Sequence, residues 1–250
     1  MPRLGAFLLA CLALIGLYLA AWPVPVDPVA WQAPEDHGLT GAFAANDALA
    51  SAAAIDLGAH EGPEDITAGH DGALYASVAS GTIVRISQET GQVSEFARTG
   101  GRPLGIESTP DGSLLVANAY LGIQRISPQG DVTNLLDAID GEPLAYADDL
   151  AVASNGVIYF SDASTKFGAL ASKGSYEASL LDILEHGGHG RVIAFDPGSR
   201  DARVIIEGLN FANGVAISAD DRFLLVAETG TYRILRHWLL GPGAGTTEVI

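Results

Sequence analysis

From residue 60 onward the chain repeats one pattern: a polar opening, a short apolar strand, a break at an acidic turn, and two further strands rich in Leu, Ile and Val. The best formed copy runs from Phe211 through Asn213-Gly214-Val215 and Asp220-Asp221 to Leu224-Leu225-Val226, then on to Arg233-Ile234-Leu235-Arg236-His237-Trp238. Its strand opening aligns with Pro63-Glu64-Asp65-Ile66, Pro103-Leu104-Gly105-Ile106 and Ala147-Asp148-Asp149-Leu150. In every copy a turn dipeptide follows six residues after the third position of the opening: Asp71-Gly72, Asp111-Gly112, Asn155-Gly156 and Asp220-Asp221. Such dipeptides tolerate positive φ and suit the primed turns of β-hairpins. Second strands are predicted at 73–77, 114–117, 157–161 and 223–227, and third strands at 82–86, 122–126, 191–195 and 232–236.

The first two repeat periods are 40 and 44 residues, and the third is 65. Repeats near 40 residues with about four strands each predict an all-β fold, a β-propeller, with four blades in this chain. A β-sandwich has similar strands without a fixed internal phase. The excess in the third repeat lies between Ala163 and Gly190, where Tyr176, Leu180, Ile183 and Leu184 recur at helical spacing. A helix is therefore predicted over 175–186, with Ser175 as N-cap and Gly187 just past the end. Its apolar stripe is expected to turn inward over the mouth of the ring. The sequence ends in a strand-like Thr246-Thr247-Glu248-Val249-Ile250, so the ring is expected to continue in further blades.

Ahead of the repeats, residues 5–22 are uncharged and almost wholly apolar, long enough to cross a bilayer. Arg3 precedes this run while Asp27, Glu35 and Asp36 follow it, which places the body on the extracytoplasmic side. A cleaved signal peptide is the alternative, although no Ala-x-Ala site ends the run. Residues 1–22 are thus read as an anchor, 23–60, with four prolines and an Ala-rich run, as a stalk, and 61–250 as the propeller. The net charge is −17, and Arg3 is the only charged side chain of the anchor, so the remainder is more acidic still. Such a body repels nucleic acid. The single cysteine, Cys11, lies in the anchor and leaves the body without a disulfide.

Candidate chemistry sits at the strand openings. Glu64, Asp65, Asp148, Asp149 and Asn213 occupy the same phase at the start of an innermost strand, so they converge on the axis. Carboxylates joined by an amide oxygen form a hard-oxygen site, which suits Ca²⁺. The same carboxylates also read as acceptors for backbone N–H groups, a role open above all for Asp65 and Asp149. His186 and His189 read as a solvated loop, and Arg233, Arg236 and His237 as a solvated edge. No Gly-x-Ser-x-Gly elbow, P-loop or dinucleotide fingerprint occurs, which argues against serine esterase and nucleotide chemistry.

Several of these motifs resemble the strictosidine synthase-like family: Phe211-Ala212-Asn213-Gly214-Val215, Val226-Ala227-Glu228-Thr229, Tyr146-Ala147-Asp148-Asp149-Leu150, Tyr159-Phe160-Ser161-Asp162 and Gly190-Arg191-Val192. The resemblance covers roughly residues 60 to 250 and extends to members with an N-terminal membrane anchor. More distantly the chain is similar to paraoxonases and to the gluconolactonase (regucalcin) group, six-bladed propellers with calcium on the axis. The resemblance implies that Glu64, Asp148 and Asn213 match catalytic-metal positions, and that Asp65 and Asp149 match a second, structural calcium. Asp148 departs from the pattern, because those relatives carry Asn there. The catalytic Glu of true strictosidine synthase would lie in a fifth or sixth blade, and no catalytic acid or base is identifiable. What the resemblance implies is a membrane-anchored hydrolase of small-molecule esters or lactones. A non-catalytic binding propeller and strictosidine synthase-type carbon–carbon bond formation are the alternatives.

Overall fold

The computed structural model describes the backbone of residues 2–250 and the side chains from residue 4. The charge of Arg3, on which the expected topology rests, lies outside the described side chains. Helix α1 spans Pro2–Ala21, and its Leu4–Ala21 window is apolar enough to cross a membrane. An extended segment with one short helical turn at Gly41–Phe43 leads to the sheets.

Four antiparallel four-stranded sheets follow, each a simple meander. The first blade contains β1 (Ile66–Ala68), β2 (Leu74–Ser77), β3 (Thr82–Ile86) and β4 (Val93–Arg98). The second contains β5 (Pro103–Ser108), β6 (Leu114–Asn118), β7 (Gly122–Ile126) and β8 (Val132–Leu136), and a small hairpin, β9 (Ala138–Ile139) with β10 (Glu142–Pro143), leads out of it. In the third are β11 (Ala147–Val152), β12 (Ile158–Asp162), β13 (Gly190–Asp196) and β14 (Asp201–Leu209). The fourth is made of β15 (Ala212–Ile217), β16 (Phe223–Glu228), β17 (Arg233–Trp238) and β18 (Thr247–Val249). First strands of successive blades touch one another, which sets them on the axis.

Alternation along the strands gives each inner blade two apolar faces, one for each neighbour. In the second blade, Leu114, Val116 and Ile126 pack with Tyr75 and Ile83 of the first. Their sequence neighbours Leu115 and Ala117, with Ile123, pack with Leu150, Phe160 and Ile193 of the third. Val192, Ile206 and Leu209 meet Val215, Leu224, Val226 and Leu235 of the fourth in the same way. The predicted blades are therefore present, with their cores between sheets.

The turns differ from the primed type expected. Positive φ occurs only at Gly72, Gly112, Gly156 and Asp221, the second residue of each dipeptide. A backbone bond closes each loop, as from Gly72 N–H to Gly69 O and from Asp221 N–H to Ser218 O. The side chain of the first residue closes the turn instead: Asp71, Asp111 and Asn155 each accept the N–H two residues on, at 3.1 Å, while the second residue alone takes the positive φ.

Candidate axial site

Each inner strand after the first opens with a register shift against its partner: between Pro103 and Ile106, Ala147 and Leu150, and Ala212 and Val215. A bulge inserts one residue and re-aims the side chains beside it. The three bulges hold Leu104-Gly105, Asp148-Asp149 and Asn213-Gly214, in phase with Glu64-Asp65 of the first blade. The sequence-predicted residues therefore stand in the same phase at three of the four inner-strand openings, the second blade contributing none.

Asp65 and Asp149 act as clamps between blades. Asp65 accepts the N–H of Ile66 at 2.7 Å and that of Ile106, in the next blade, at 2.8 Å. Asp149 repeats this with Leu150 at 2.8 Å and Val215 at 2.7 Å. Ser77 and Ser161 support them, each accepting the clamp residue's own N–H at 3.2 and 3.1 Å. The second and fourth blades carry Gly105 and Gly214 instead, with Ala117 and Ala227 where the serines stand. At Gly105 a Cβ would come within 2.7 Å of the Asp149 Cα, so blades two and three approach there backbone to backbone.

Glu64 and Asp148 have a different environment. Asp148 is 5% exposed, and its Oδ2 is buried without a hydrogen-bond partner among the described residues. Burial pushes its carboxyl well above the usual range, and the charges of Glu64 and Asp149 push the same way. Glu64 is raised to about 7 by burial and then by Asp65 and Asp149. Asp149 is raised to about 6 by burial, against the pull of its two backbone N–H donors. Glu107, two positions further along β5, is raised by burial and by Asp65 and Asp149. The axis is thus a crowded set of carboxylates whose ionisation is opposed by burial and by one another.

One cation faces this set. Arg102 donates to Gly62 O at 3.3 Å, and its charge lowers both Glu64 and Asp148. Sequence reasoning passed over it, although Gly62, Arg102, Tyr146 and Phe211 share one phase, two residues ahead of the site positions. Tyr146 and Phe211 meet edge-to-face at 5.4 Å and, with Leu104, form an apolar layer beside the carboxylates.

That layer carries helix α2 (Ser175–Glu185). The Tyr146 hydroxyl donates to Ser175 O at 2.9 Å, and Ala178, Leu181 and Ile183 pack on Leu104, Phe167 and Phe211. The inward face differs from the stripe predicted. Tyr176, Leu180 and Leu184 are exposed, whereas Ala178, Asp182 and Glu185 are buried, and only Ile183 of the expected stripe packs inward. The helix ends with His186, not Gly187, in the left-handed conformation.

His186 is buried rather than solvated and stacks on Trp31 at 4.1 Å. Glu185 accepts from Lys166 Nζ at 2.7 Å and from the N–H of Asp27 at 2.8 Å, and pairs with His189 Nε2 at 2.6 Å. Val29 N–H donates to Glu185 O at 2.7 Å, and Val26 joins the apolar layer. Residues 26–31 of the stretch read as a stalk are therefore strapped to the inserted helix. The edge read as solvated is also more ordered than expected: His237 is buried against Thr247, and Arg233 pairs with the buried Glu228 at 2.6 Å.

Among the described residues no three His, Cys, Asp or Glu side chains come together in a way that could hold a metal ion. The set that would be left for a cation is Asp148, Glu64, whose charge reaches it, and Asn213, in the same phase at the opening of β15. Its fit to a hard cation rests on the orphaned, buried Oδ2 of Asp148 and on all-oxygen donors.

Two family profiles match the chain: "Strictosidine synthase-like, N-terminal" over residues 41–86 and "Strictosidine synthase" over residues 148–242. Strictosidine synthase-like 10 of Arabidopsis thaliana is 35% identical over 225 residues, covering 81% of this chain and 58% of the relative. Adipocyte plasma membrane-associated protein of Rattus norvegicus is 32% identical over 243 residues, covering 90% of this chain and 62% of the relative. The chain thus spans little more than half the length of these curated relatives. Among solved structures, a gluconolactonase from Xanthomonas campestris aligns with a TM-score of 0.61 at 21% identity, covering 75% of this chain and 61% of that one. A calcium-binding protein, regucalcin, from Agrobacterium tumefaciens aligns at 0.55 and 12% identity, covering 78% and 61%. Those two likenesses are of fold and establish the propeller. Matched at both ends of its body by profiles of one family, and by relatives of that family along most of its length, the chain belongs to the strictosidine synthase-like family.

Proposed function

We propose that this chain belongs to a membrane-anchored hydrolase of small-molecule esters or lactones, with α1 in the bilayer, the propeller on the extracytoplasmic side and a divalent cation on the axis. The observation that carries the reading is the buried, unpartnered carboxyl oxygen of Asp148, at the bulged opening of β11 and within reach of the Glu64 charge. A buried charge without a partner is costly, and such groups are kept where a ligand completes them. Glu64, Asp148 and Asn213 would hold the cation, and their oxygen donors favour Ca²⁺. When bound, such an ion supplies Lewis acidity toward a substrate carbonyl. The gluconolactonase and regucalcin folds support the substrate class and the metal.

The chain's own residues supply the rest of the site. Arg102 offsets part of the carboxylate charge and offers a guanidinium to an acyl or carboxylate oxygen. Tyr146, Phe211 and Leu104, roofed by α2, give an apolar wall that keeps water from one side of the carboxylates. Asp65 and Asp149 hold the strand openings in register through their inter-blade N–H bonds.

The test is hydrolysis of an aryl ester and a panel of lactones by the full-length protein, with Ca²⁺ and with chelator. Turnover should require the cation, and Glu64→Gln should lower kcat/KM by about 10²–10³-fold, the usual scale for losing one electrostatic stabiliser. Calcium binding without turnover on any substrate would leave a binding propeller, and turnover indifferent to both chelator and Glu64→Gln would remove the axial site from the reaction.

A further inference from the structure

The outward face of α2 is unexpectedly apolar. Tyr176, Leu180 and Leu184 are 70%, 42% and 67% exposed and, spaced four residues apart, form one continuous stripe. Leu170, just ahead of the helix, is 64% exposed. At the other end of the stripe stand Trp31, stacked on His186, and Tyr232, 5.9 Å from Trp31 and 72% exposed. Exposed large side chains in such continuity, on a body as acidic as this one, mark a contact surface.

The strap says what covers it. Val26 is already packed beside α2, Asp27 and Val29 are bonded to Glu185, and Val26 lies only five residues beyond Ala21, the end of α1. An extended chain covers about 3.3–3.6 Å per residue, so the end of the apolar span and Asp27, the residue bonded to Glu185, are at most roughly 20–22 Å apart. With α1 in a bilayer, the propeller is held with this helix close to the headgroups. Trp and Tyr at the rim are residues that favour that boundary.

We infer that the stripe Tyr176, Leu180 and Leu184, flanked by Leu170, Trp31 and Tyr232, seats on the surface of the membrane into which α1 inserts. The inference rests on the anchor reading of α1 given above. Helix α2 then lies in the interface with its apolar stripe in the acyl boundary, while Ala178, Asp182 and Glu185 face the propeller. The apolar layer of Leu104, Tyr146 and Phe211 beside the axial carboxylates packs under the same helix, so that end of the ring is the one turned toward the membrane.

The test uses the full chain in phosphatidylcholine vesicles, with Cys11→Ser and a single introduced cysteine carrying an environment-sensitive fluorophore. Leu184→Cys and Leu180→Cys probes should shift to the blue and lose emission to brominated lipid. A Ser199→Cys probe, in the exposed turn at the far end of β13, should do neither. Flotation of the same samples reads the anchor separately. Protein that floats with the vesicles but shows no quenching at 180 and 184 overturns the seating and leaves the anchor intact. Protein that does not float overturns both. Unlabelled Leu184→Cys protein that forms disulfide-linked dimers at low lipid ratio, together with labelled protein that is not quenched, would assign the stripe to a second copy of the chain and overturn the membrane as its occupant.

Discussion

Gly105→Ala should destabilise the protein by about 3 kcal/mol or more, whereas Gly214→Ala, at the equivalent place in the fourth blade, should cost less than about 1 kcal/mol. Both glycines stand second in a bulged opening, and neither has positive φ, so the difference is one of space. A methyl group on Gly105 would lie 2.7 Å from the Asp149 Cα and 3.1 Å from Asp148 O, with Asp149 Oδ1 closer still. The first two are backbone atoms of the neighbouring blade, and they move only if the blades part. At Gly214 the nearest atoms, Ala227 Cβ and Asp149 Oδ2, are 3.7 and 3.8 Å away, an ordinary contact. Chemical denaturation of the two variants decides the matter, and equal losses would mean that the close approach of blades two and three is not what glycine is there for. Gly105→Ala should also disturb cation binding, because the displaced segment carries Asp148.

Without divalent cations, Asp148→Asn should be more stable than the parent protein at neutral pH. Asp148 and Glu64 both have carboxyl pKa values raised in the folded state, in each case by burial first. For Glu64 the rise is from 4.5 to about 7. Across that window the folded state keeps a proton that the unfolded chain has released. Stability is therefore highest at the acid end and falls as pH rises, levelling off for Glu64 above about 7. In chelator, the denaturation midpoint should be higher at pH 5 than at pH 8, and Asp148→Asn should flatten that difference. Ca²⁺ should reverse the trend, since it favours the ionised carboxylates and its binding releases protons. A midpoint that rises from pH 5 to pH 8 in chelator would show that the axial carboxylates are not strained by burial. Asp148→Asn that is more stable yet loses its response to Ca²⁺ would show a group kept for a ligand at the expense of the fold.

The blades could be read from the sequence because their signals are local. Six residues separate each strand opening from its turn, and the strands between alternate in a way that only two-sided burial explains. The phase of the strand openings could be read because the same offset from the turn recurs in each blade, and in the second, third and fourth it coincides with a bulge. Helix α2 was placed correctly and turned the wrong way, since its buried face holds Ala178, Asp182 and Glu185 while its leucines at 180 and 184 face outward. Apolar periodicity finds the core only where the core partners are apolar. Here a long-range cluster of Lys166, His189 and the Asp27 N–H satisfies Glu185 instead. The strap was hidden for the same reason: it is fixed by a carboxylate 158 residues away from Asp27. Arg102 was visible in phase and passed over, because a single basic residue beside a proline carries no pattern of its own.

The alternation of Asp65-Ser77, Gly105-Ala117, Asp149-Ser161 and Gly214-Ala227 makes adjacent blades unequal. Odd blades reach forward with a carboxylate, to Ile106 and Val215, and even blades present a bare backbone for it to grip. A cassette for shuffling or transplanting parts of this ring is therefore two blades long. Excising one blade brings a carboxylate against a carboxylate, or a glycine against a glycine, at the new junction, while moving a pair leaves every junction of the kind it was before.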